Sequence, residues 1–263
     1  MKTKRTNLDE LRRSIVSASY ASHEGHVPSA LSILDILVVL YERILKIDPK
    51  NPSNPKRDRF ILSKGHASLG LYAVLAENGF FPKEWMGTFG EFDSRLGGHP
   101  DRTKVPGVEV SSGSLGHGFP MAVGMAMGLK IAKNPASVYA LIGDGESNEG
   151  TIWESALIAS HHKLDNLCCI IDYNHSTDRA LSVGKMEDKF ESFGWKCAVV
   201  ADGHDHDKLE RALRMAHKGQ PLAIIADTIK GKGVKIMENN PAWHHKSPNK
   251  EEFEQIMKDL SRS

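Results

Sequence analysis

Two short segments combine glycine with oxygen-bearing side chains in a spacing that suits a hard cation and a phosphate. The first is Gly143-Asp144-Gly145, directly after the apolar run Val138 to Ile142, and the second is Asp172-Tyr173-Asn174, which closes the apolar run from Leu167. Asn174 lies 30 positions beyond Asp144. If the two runs are neighbouring parallel strands, both segments end at the same sheet edge. Asp144 then offers a carboxylate oxygen, Asn174 an amide oxygen and the chain near Ser176 a carbonyl oxygen. That set suits Mg2+, which favours oxygen ligands and keeps positions open for phosphate. Gly145 lets the backbone approach a phosphate group, and a helix starting near Asn148 points its positive end at the same place. Gly-Asp-Gly alone is weak evidence, because a tight turn from strand to helix selects the same residues. Asn174 at the next strand end supplies the second, independently placed ligand.

Thirteen histidines form the other chemical resource. Imidazole titrates near neutral pH and serves as acid, base or ligand. A lone histidine is usually a loop or capping residue, and that is the expectation for His161, His162, His204, His206, His217 and His245. His26, His66, His99 and His244 stand apart, because each sits inside a motif given below. Cys168 and Cys169 are adjacent in an apolar run, and no Cys-x-x-Cys spacing occurs among the three cysteines. They read as small buried strand residues in a reducing compartment, not as a metal or redox site.

These residues need a scaffold that brings them together. Apolar residues at three-and-four spacing predict helices over 8–22 and 29–45, the second stopped by Pro49, Pro52 and Pro55. A short strand over 59–63 leads to a helix over 67–77, starting near His66. Residues 82–114, rich in Gly, Pro, Ser and charge, resemble a linker, but a loop of that length in a compact domain is usually functional or disordered. A helix over 116–133 carries Gly118, Gly124 and Gly128, whose low helix propensity calls for something packed tightly against them. Strands over 138–142, 167–172, 197–200 and 222–227 then alternate with helices over 148–162 and 205–217. This alternation predicts an α/β fold: a parallel sheet with helices on both faces, with ligands outside the carboxyl ends of the strands. One domain over residues 1–263 is expected.

Lys and Arg number 34 against 33 Asp and Glu, for a formal net charge of +1. That balance excludes the global excess needed to hold nucleic acid or an anionic membrane. The basic first residues are followed by the polar stretch 6–13, not the apolar run of a secretion signal, and no apolar stretch approaches the ~20 residues of a membrane span. A cytoplasmic enzyme is the expectation.

Gly143-Asp144-Gly145 followed by Asn174 resembles the thiamine-diphosphate signature, and the continuation 145–150 with Trp153-Glu154-Ser155-Ala156 is similar to its transketolase form. Gly25-His26, Leu62-Ser63-Lys64-Gly65-His66-Ala67, Gly98-His99-Pro100 and the run 110–116 are similar to further transketolase motifs in the same order. The run 229–234, Met237-Glu238-Asn239 and Trp243-His244 resemble transketolase N-terminal subunits of the split type. The resemblance covers His26 to His244. It implies a thiamine-diphosphate-binding fold in which Asp144, Asn174 and the Ser176 carbonyl hold Mg2+. His66, Gly113, Leu115, Gly145, Glu149 and Asn174 would form the cofactor cradle. His26 and His244 would move protons, and His99 would bind the terminal hydroxyl of the transferred two-carbon unit. Lys230 and Lys232 read equally well as phosphate ligands or as solvated charges, and His117 stands where relatives usually have Gln.

The family's cofactor also needs a glutamate from a pyrimidine-binding domain for which this chain has no sequence. The resemblance therefore implies a C-terminal, pyrimidine-binding partner subunit, two copies of each chain, and ketose and aldose phosphates as substrates. Three departures border the cofactor: Val27-Pro28-Ser29-Ala30 after His26, Lys64 in place of Asn, and the segment 175–179 without its usual Asp-Gly ending. They point towards a specialised ketose. Other readings are the alpha chain of a 2-oxo acid dehydrogenase, a 1-deoxyxylulose-5-phosphate-synthase-like subunit, and an inactive cofactor-binding or regulatory module.

Overall fold

The computed structural model describes residues 6–178, 181–182 and 184–261. Five strands, β1 (Arg59–Leu62), β2 (Val138–Gly143), β3 (Leu167–Tyr173), β4 (Lys196–Val200) and β5 (Leu222–Asp227), form one sheet in the order β1-β2-β3-β5-β4. Every pairing is parallel, and Gly143 stands opposite Asp172, which stands opposite Ala226. The segments that follow β1, β2, β3 and β5 therefore gather at one edge, in keeping with the pattern of apolar runs.

Alternate residues of each central strand feed two separate cores. Val138, Ala140 and Ile142 of β2 and Leu167, Cys169 and Ile171 of β3 pack against α5 (Gly118–Ile131), α6 (Gly150–His161) and α7 (Met186–Ser192). Leu141, Cys168, Ile170, Leu222 and Ile224 face the other way. They meet α1 (Leu8–Ser22), α2 (Val27–Ser32), α3 (Leu34–Val39), α4 (Ser68–Glu77), α8 (His206–Leu213) and α9 (Lys250–Leu260). The last crossover, from edge strand β4 back to β5, reverses direction, so right-handedness sends α8 to the opposite face from α7. Cys168 and Cys169 thus point into different cores, and burial pushes both thiols above their ordinary pKa.

α1 begins where Asn7 caps it, the side chain accepting from the Asp9 and Glu10 amides. The helix expected over 29–45 differs. It starts at Val27, with Pro28 in the first turn where its missing N–H is harmless. It breaks at Ile33, resumes as α3, and ends in a wide turn over Leu40–Ile44 closed by Leu45 N–H to the Leu40 carbonyl at 2.8 Å. Residues 27–40 are buried on every side, so no exposed stripe holds them to one straight axis.

Other boundaries shift by a few residues. A 3-10 turn Gly65–Ala67 precedes α4, another over Gly145–Asn148 precedes α6, and α8 stops at Leu213 rather than His217. α7 and α9 add to the helices that periodicity predicts. Residues 82–114 are no linker: beyond a 3-10 turn at Lys83–Thr88, their Met86, Phe89, Leu96, Val105 and Val108 are buried in the core. No helix among the described residues is long and apolar enough to cross a membrane.

Candidate active site

Asp144 ends β2 and caps the turn that follows, accepting from the Gly145 amide at 2.8 Å and, through its other oxygen, from the Thr177 amide at 3.5 Å. Those bonds tie it to the segment after β3, where Asn174 Oδ1 accepts from the Ser176 amide at 3.2 Å and from the Ser176 hydroxyl. Asp144, Asn174 and Ser176 therefore belong to one small network at the carboxyl edge of the sheet. Asp144 is 2% exposed. Burial pushes its carboxyl above the ordinary range and the nearby Asp172 adds to the effect, so a cation at this place would relieve a buried, underpaired charge. No group of three His, Cys, Asp or Glu residues that could hold a metal occurs among the described residues. The donor set here is instead one carboxylate with amide and carbonyl oxygens, which fits Mg2+ better than a softer metal.

Behind this edge lies Asp172, fully buried, with Lys64 from the end of β1 at 2.5 Å. Burial alone would raise the Asp172 carboxyl, but the Lys64 ammonium and the hydrogen bonds around it win and hold it below the ordinary range. Lys230 follows β5 and reaches the Ser176 hydroxyl and His244 Nδ1, both at 2.9 Å. Among the described residues no carboxylate pairs with it. Burial, and then Lys64, lower it to about 8. A half-buried ammonium whose hydrogen-bond partners among the described residues are neutral, beside the Asp144 edge, suits a phosphate oxygen. Asn174, Ser176, Lys230 and His244 line a cavity of about 410 Å³. A larger cavity of about 560 Å³ lies at the amino end of β1, among Tyr41, Arg57, Phe60 and Glu109, and holds none of the candidate residues.

Three of the candidate histidines, His26, His66 and His244, come together, and His244 lines the cavity. The ring of His26 lies 5.0 Å from that of His66 and 5.5 Å from that of His244. His26 Nδ1 faces the His244 carbonyl at 3.0 Å. A carbonyl only accepts, so Nδ1 carries the proton and Nε2 keeps its lone pair. His244 has the opposite arrangement: Nδ1 accepts from the Lys230 ammonium, which leaves the proton on Nε2. One imidazole is thus set as a base and the other as a donor. Burial, followed by the neighbouring rings, lowers His26 to about 4, and burial with Lys64 lowers His66 to about 2, so both are neutral at pH 7. Burial and Lys230 lower His244 as well. His99 packs close to Gly113, whose added Cβ would come within 3.3 Å of its ring.

The rest of the expected cradle is less uniform. Gly65 and the Ser112-Gly113 backbone cross so closely that a Cβ on Gly65 would meet them at 2.9 Å, which brings Gly113 over the end of β1; Leu115 follows two residues later. Glu149 stands just before α6 without capping it and is exposed, and His117 is exposed at the start of α5, its Nδ1 beside the Leu115 carbonyl. Gly145 has room above it, the nearest atom to an added Cβ being 3.9 Å away. Of the segment 175–179, Arg179 lies outside the described residues. His175 adopts a left-handed backbone (φ 61°) and pairs with Asp178 and Asp227, which raise its pKa against the effect of burial.

Three residues carry more than the sequence suggests. Glu146, buried, accepts from the Ser63 hydroxyl and the Gly116 and Gly143 amides, stapling three loops of the site. His204 is no mere loop residue: it donates to buried Asp35 at 2.8 Å and accepts from the Ile229 amide at 2.9 Å, anchoring the backbone next to Lys230. His245 lies 4.6 Å from His26 and is part of the histidine cluster.

The chain matches the model of a family described as transketolase, thiamine diphosphate binding domain, over residues 4–261. It is 40% identical over 256 residues to a protein of Actinobacillus succinogenes named as one subunit of an apulose-4-phosphate transketolase, spanning 95% of this chain and 93% of that one. A Clostridium protein named as one subunit of a 6-deoxy-6-sulfo-D-fructose transketolase is 40% identical, spanning 90% and 89%. Human transketolase is 39% identical over 96% of this chain but only 41% of its own length, so this chain spans about two fifths of such full-length relatives. Among solved structures, the transketolase of Campylobacter jejuni is similar with a TM-score of 0.85 and 31% identity, covering 97% of this chain and 43% of that one. The Leishmania mexicana transketolase is similar with a TM-score of 0.89 and 27% identity, covering 98% and 42%.

Proposed function

This chain belongs to the transketolase family as its thiamine-diphosphate-binding domain, and from that premise we propose that it is one subunit of a two-chain transketolase. The enzyme moves a two-carbon ketol unit from a ketose donor to an aldose acceptor with thiamine diphosphate and Mg2+. The observation that carries this reading is the meeting of an underpaired Asp144, the Asn174 oxygen, the Lys230 ammonium and two oppositely set histidines at one sheet edge. When bound, thiamine diphosphate supplies the nucleophilic carbon and electron sink for cleaving a carbon–carbon bond. Asp144, Asn174 and the Ser176 carbonyl hold the metal, Lys230 and the Gly145 backbone meet the diphosphate, and Gly113, Leu115, Glu149 and His66 complete the cradle. His26, neutral with a free Nε2, takes the proton from the donor's hydroxyl. His244 donates from Nε2, and His99 holds the terminal hydroxyl of the two-carbon unit.

A second chain supplies the pyrimidine-binding half, with two copies of each in the assembly. Relatives matched over nearly their whole length carry "subunit" in their names, which supports this. So does a bare apolar face. Met121 and Ile131 of α5 and Leu157 and Ile158 of α6 are exposed, and among the described residues nothing lies within 4 Å of a Cβ added at Gly124 or Gly128. Among the described residues, the expected tight neighbour is found at Gly118, where a Cβ would meet Ser63 at 2.6 Å. Donor ketoses with an anionic end, such as the phosphorylated and sulfonated sugars in the relatives' names, are the first to test.

The test is to combine this chain with the pyrimidine-binding chain, Mg2+ and thiamine diphosphate, and to assay two-carbon transfer among phosphorylated and sulfonated ketoses with aldose acceptors. Transfer by the mixture and none by either chain alone is expected. A chain that binds neither cofactor nor partner would overturn the reading.

A further inference from the structure

Asn174 can serve a cation only through its oxygen, and an amide has two faces that differ little in shape. Something must decide which one looks out. Its Nδ2 lies 2.8 Å from Asp172 Oδ2, and a carboxylate has nothing to donate, so only the NH2 group can stand there. On the other side the Ser176 amide N–H points at Oδ1 from 3.2 Å, and an N–H requires an acceptor. The two constraints agree. Asp172 is itself fixed: Oδ2 also accepts from Ser32 of α2 at 2.7 Å and from Lys64 at 2.5 Å, and Oδ1 accepts from Thr228 at 2.5 Å.

We infer that Asp172 is a positioning residue that locks the Asn174 amide with its oxygen towards the cation site, and that Lys64, Ser32 and Thr228 hold Asp172 in place for that task. The inference rests on the cofactor reading above and says how this chain prepares that site before any cation arrives. Outer partners of a metal ligand are typically worth about 10–100-fold in metal affinity. Asp172→Asn keeps the shape but replaces an acceptor-only group with one that can face Asn174 either way round. Thr228→Val removes a hydrogen bond to the same carboxylate without touching Asn174.

Two measurements on the full chain test this. In the metal-free protein, side-chain amide NMR should show one Asn174 NH2 proton held against exchange with water. An Asn174 NH2 that exchanges like those of exposed asparagines overturns the inference, whether or not the variants fold. In the second, Mn2+ serves as the metal probe with thiamine diphosphate, and circular dichroism checks the fold. Asp172→Asn should weaken Mn2+ binding by about 10–100-fold, while Thr228→Val lowers Tm and leaves that affinity within about twofold. Equal losses in both variants, or none in a folded Asp172→Asn, would show that Asp172 acts only as general support and sink the inference. Should wild-type protein hold the amide proton yet bind no Mn2+, the cofactor reading fails and the locked amide stands.

Discussion

Replacing Lys64 by Met isolates the electrostatics beneath the site. Methionine keeps the length of the side chain and removes the only cation in contact with Asp172 among the described residues, in a pair whose members are 2% and 0% exposed. Taking one partner from a buried ion pair typically costs about 3–5 kcal/mol, because the other is left charged and out of water. Ser32, Asn174 and Thr228 still donate to Asp172, so the lower end, about 3 kcal/mol, applies. With an unfolding entropy of about 2.1 cal/mol/K per residue, a chain of 263 residues should then lose about 5 °C in Tm. Asp172→Asn in the same chain removes the stranded charge and should recover all but about 1 kcal/mol. The sign with pH follows from linkage. Wild-type Asp172 lies below its unfolded value of 3.8, so its contribution is present above that pH and fades on acidification. In Lys64→Met the carboxyl moves the other way, and the gap between the proteins should narrow as the pH falls towards about 4. Urea unfolding followed by far-UV circular dichroism at both pH values reads all of this. A loss under about 1 kcal/mol at neutral pH, or a double variant no better than the single one, would refute the argument.

Asp144→Asn should leave the metal-free chain as stable as wild type or slightly more so. Its raised carboxyl opposes folding once ionised above its folded pKa, yet Mg2+ and thiamine diphosphate should no longer raise Tm. His26→Ala should bind the cofactor in the assembled enzyme by calorimetry and lose about 100-fold or more in kcat, whereas a comparable loss of affinity would count against its role as base. His26 and His66 are held neutral, so the unfolded chain takes up protons first. Stability should decline as pH drops below 6.5, towards about 4 for His26 and about 2 for His66, and a His66→Gln variant should flatten the curve of urea midpoint against pH. Gly118→Ala, whose methyl would stand 2.6 Å from the Ser63 Cα, should cost about 1–3 kcal/mol by chemical denaturation, while Gly124→Ala should not destabilise the isolated chain.

Much of the candidate site can be read from the chain because its proposed ligands sit at strand ends. β2 and β3 are plain apolar runs, and where two such strands pair in register their last residues must be neighbours. Asp144 and Asn174 are legible for that reason, and His26, His66, His99 and His244 through the motifs around them. Glu146, His204 and Asp35 are not, because each matters through a partner far away in sequence: Ser63, Ile229 and His204 respectively. Local spacing carries no trace of such pairs. The break at Ile33 is hidden for a similar reason, since a segment buried all round has no periodic stripe to show where it turns. α9, by contrast, does have a local signal, the reciprocal Asn249 and Glu252 capping box at its start. The glycines of α5 call for a close neighbour, which among the described residues is present at the first of them, Gly118, and not at Gly124 or Gly128.

That uncovered side of α5 and α6 bears on how much of this polypeptide a cell can tolerate. Ile131 is 77% and Leu157 56% exposed, next to glycines that let another backbone come close. Molecules made in excess of whatever normally shields these helices will shield them with one another or become clients of chaperones and proteases. If the proposed two-chain assembly holds, balanced synthesis of both polypeptides is a condition of solubility as much as of turnover, and overproduction of this one alone is expected to yield self-associated material.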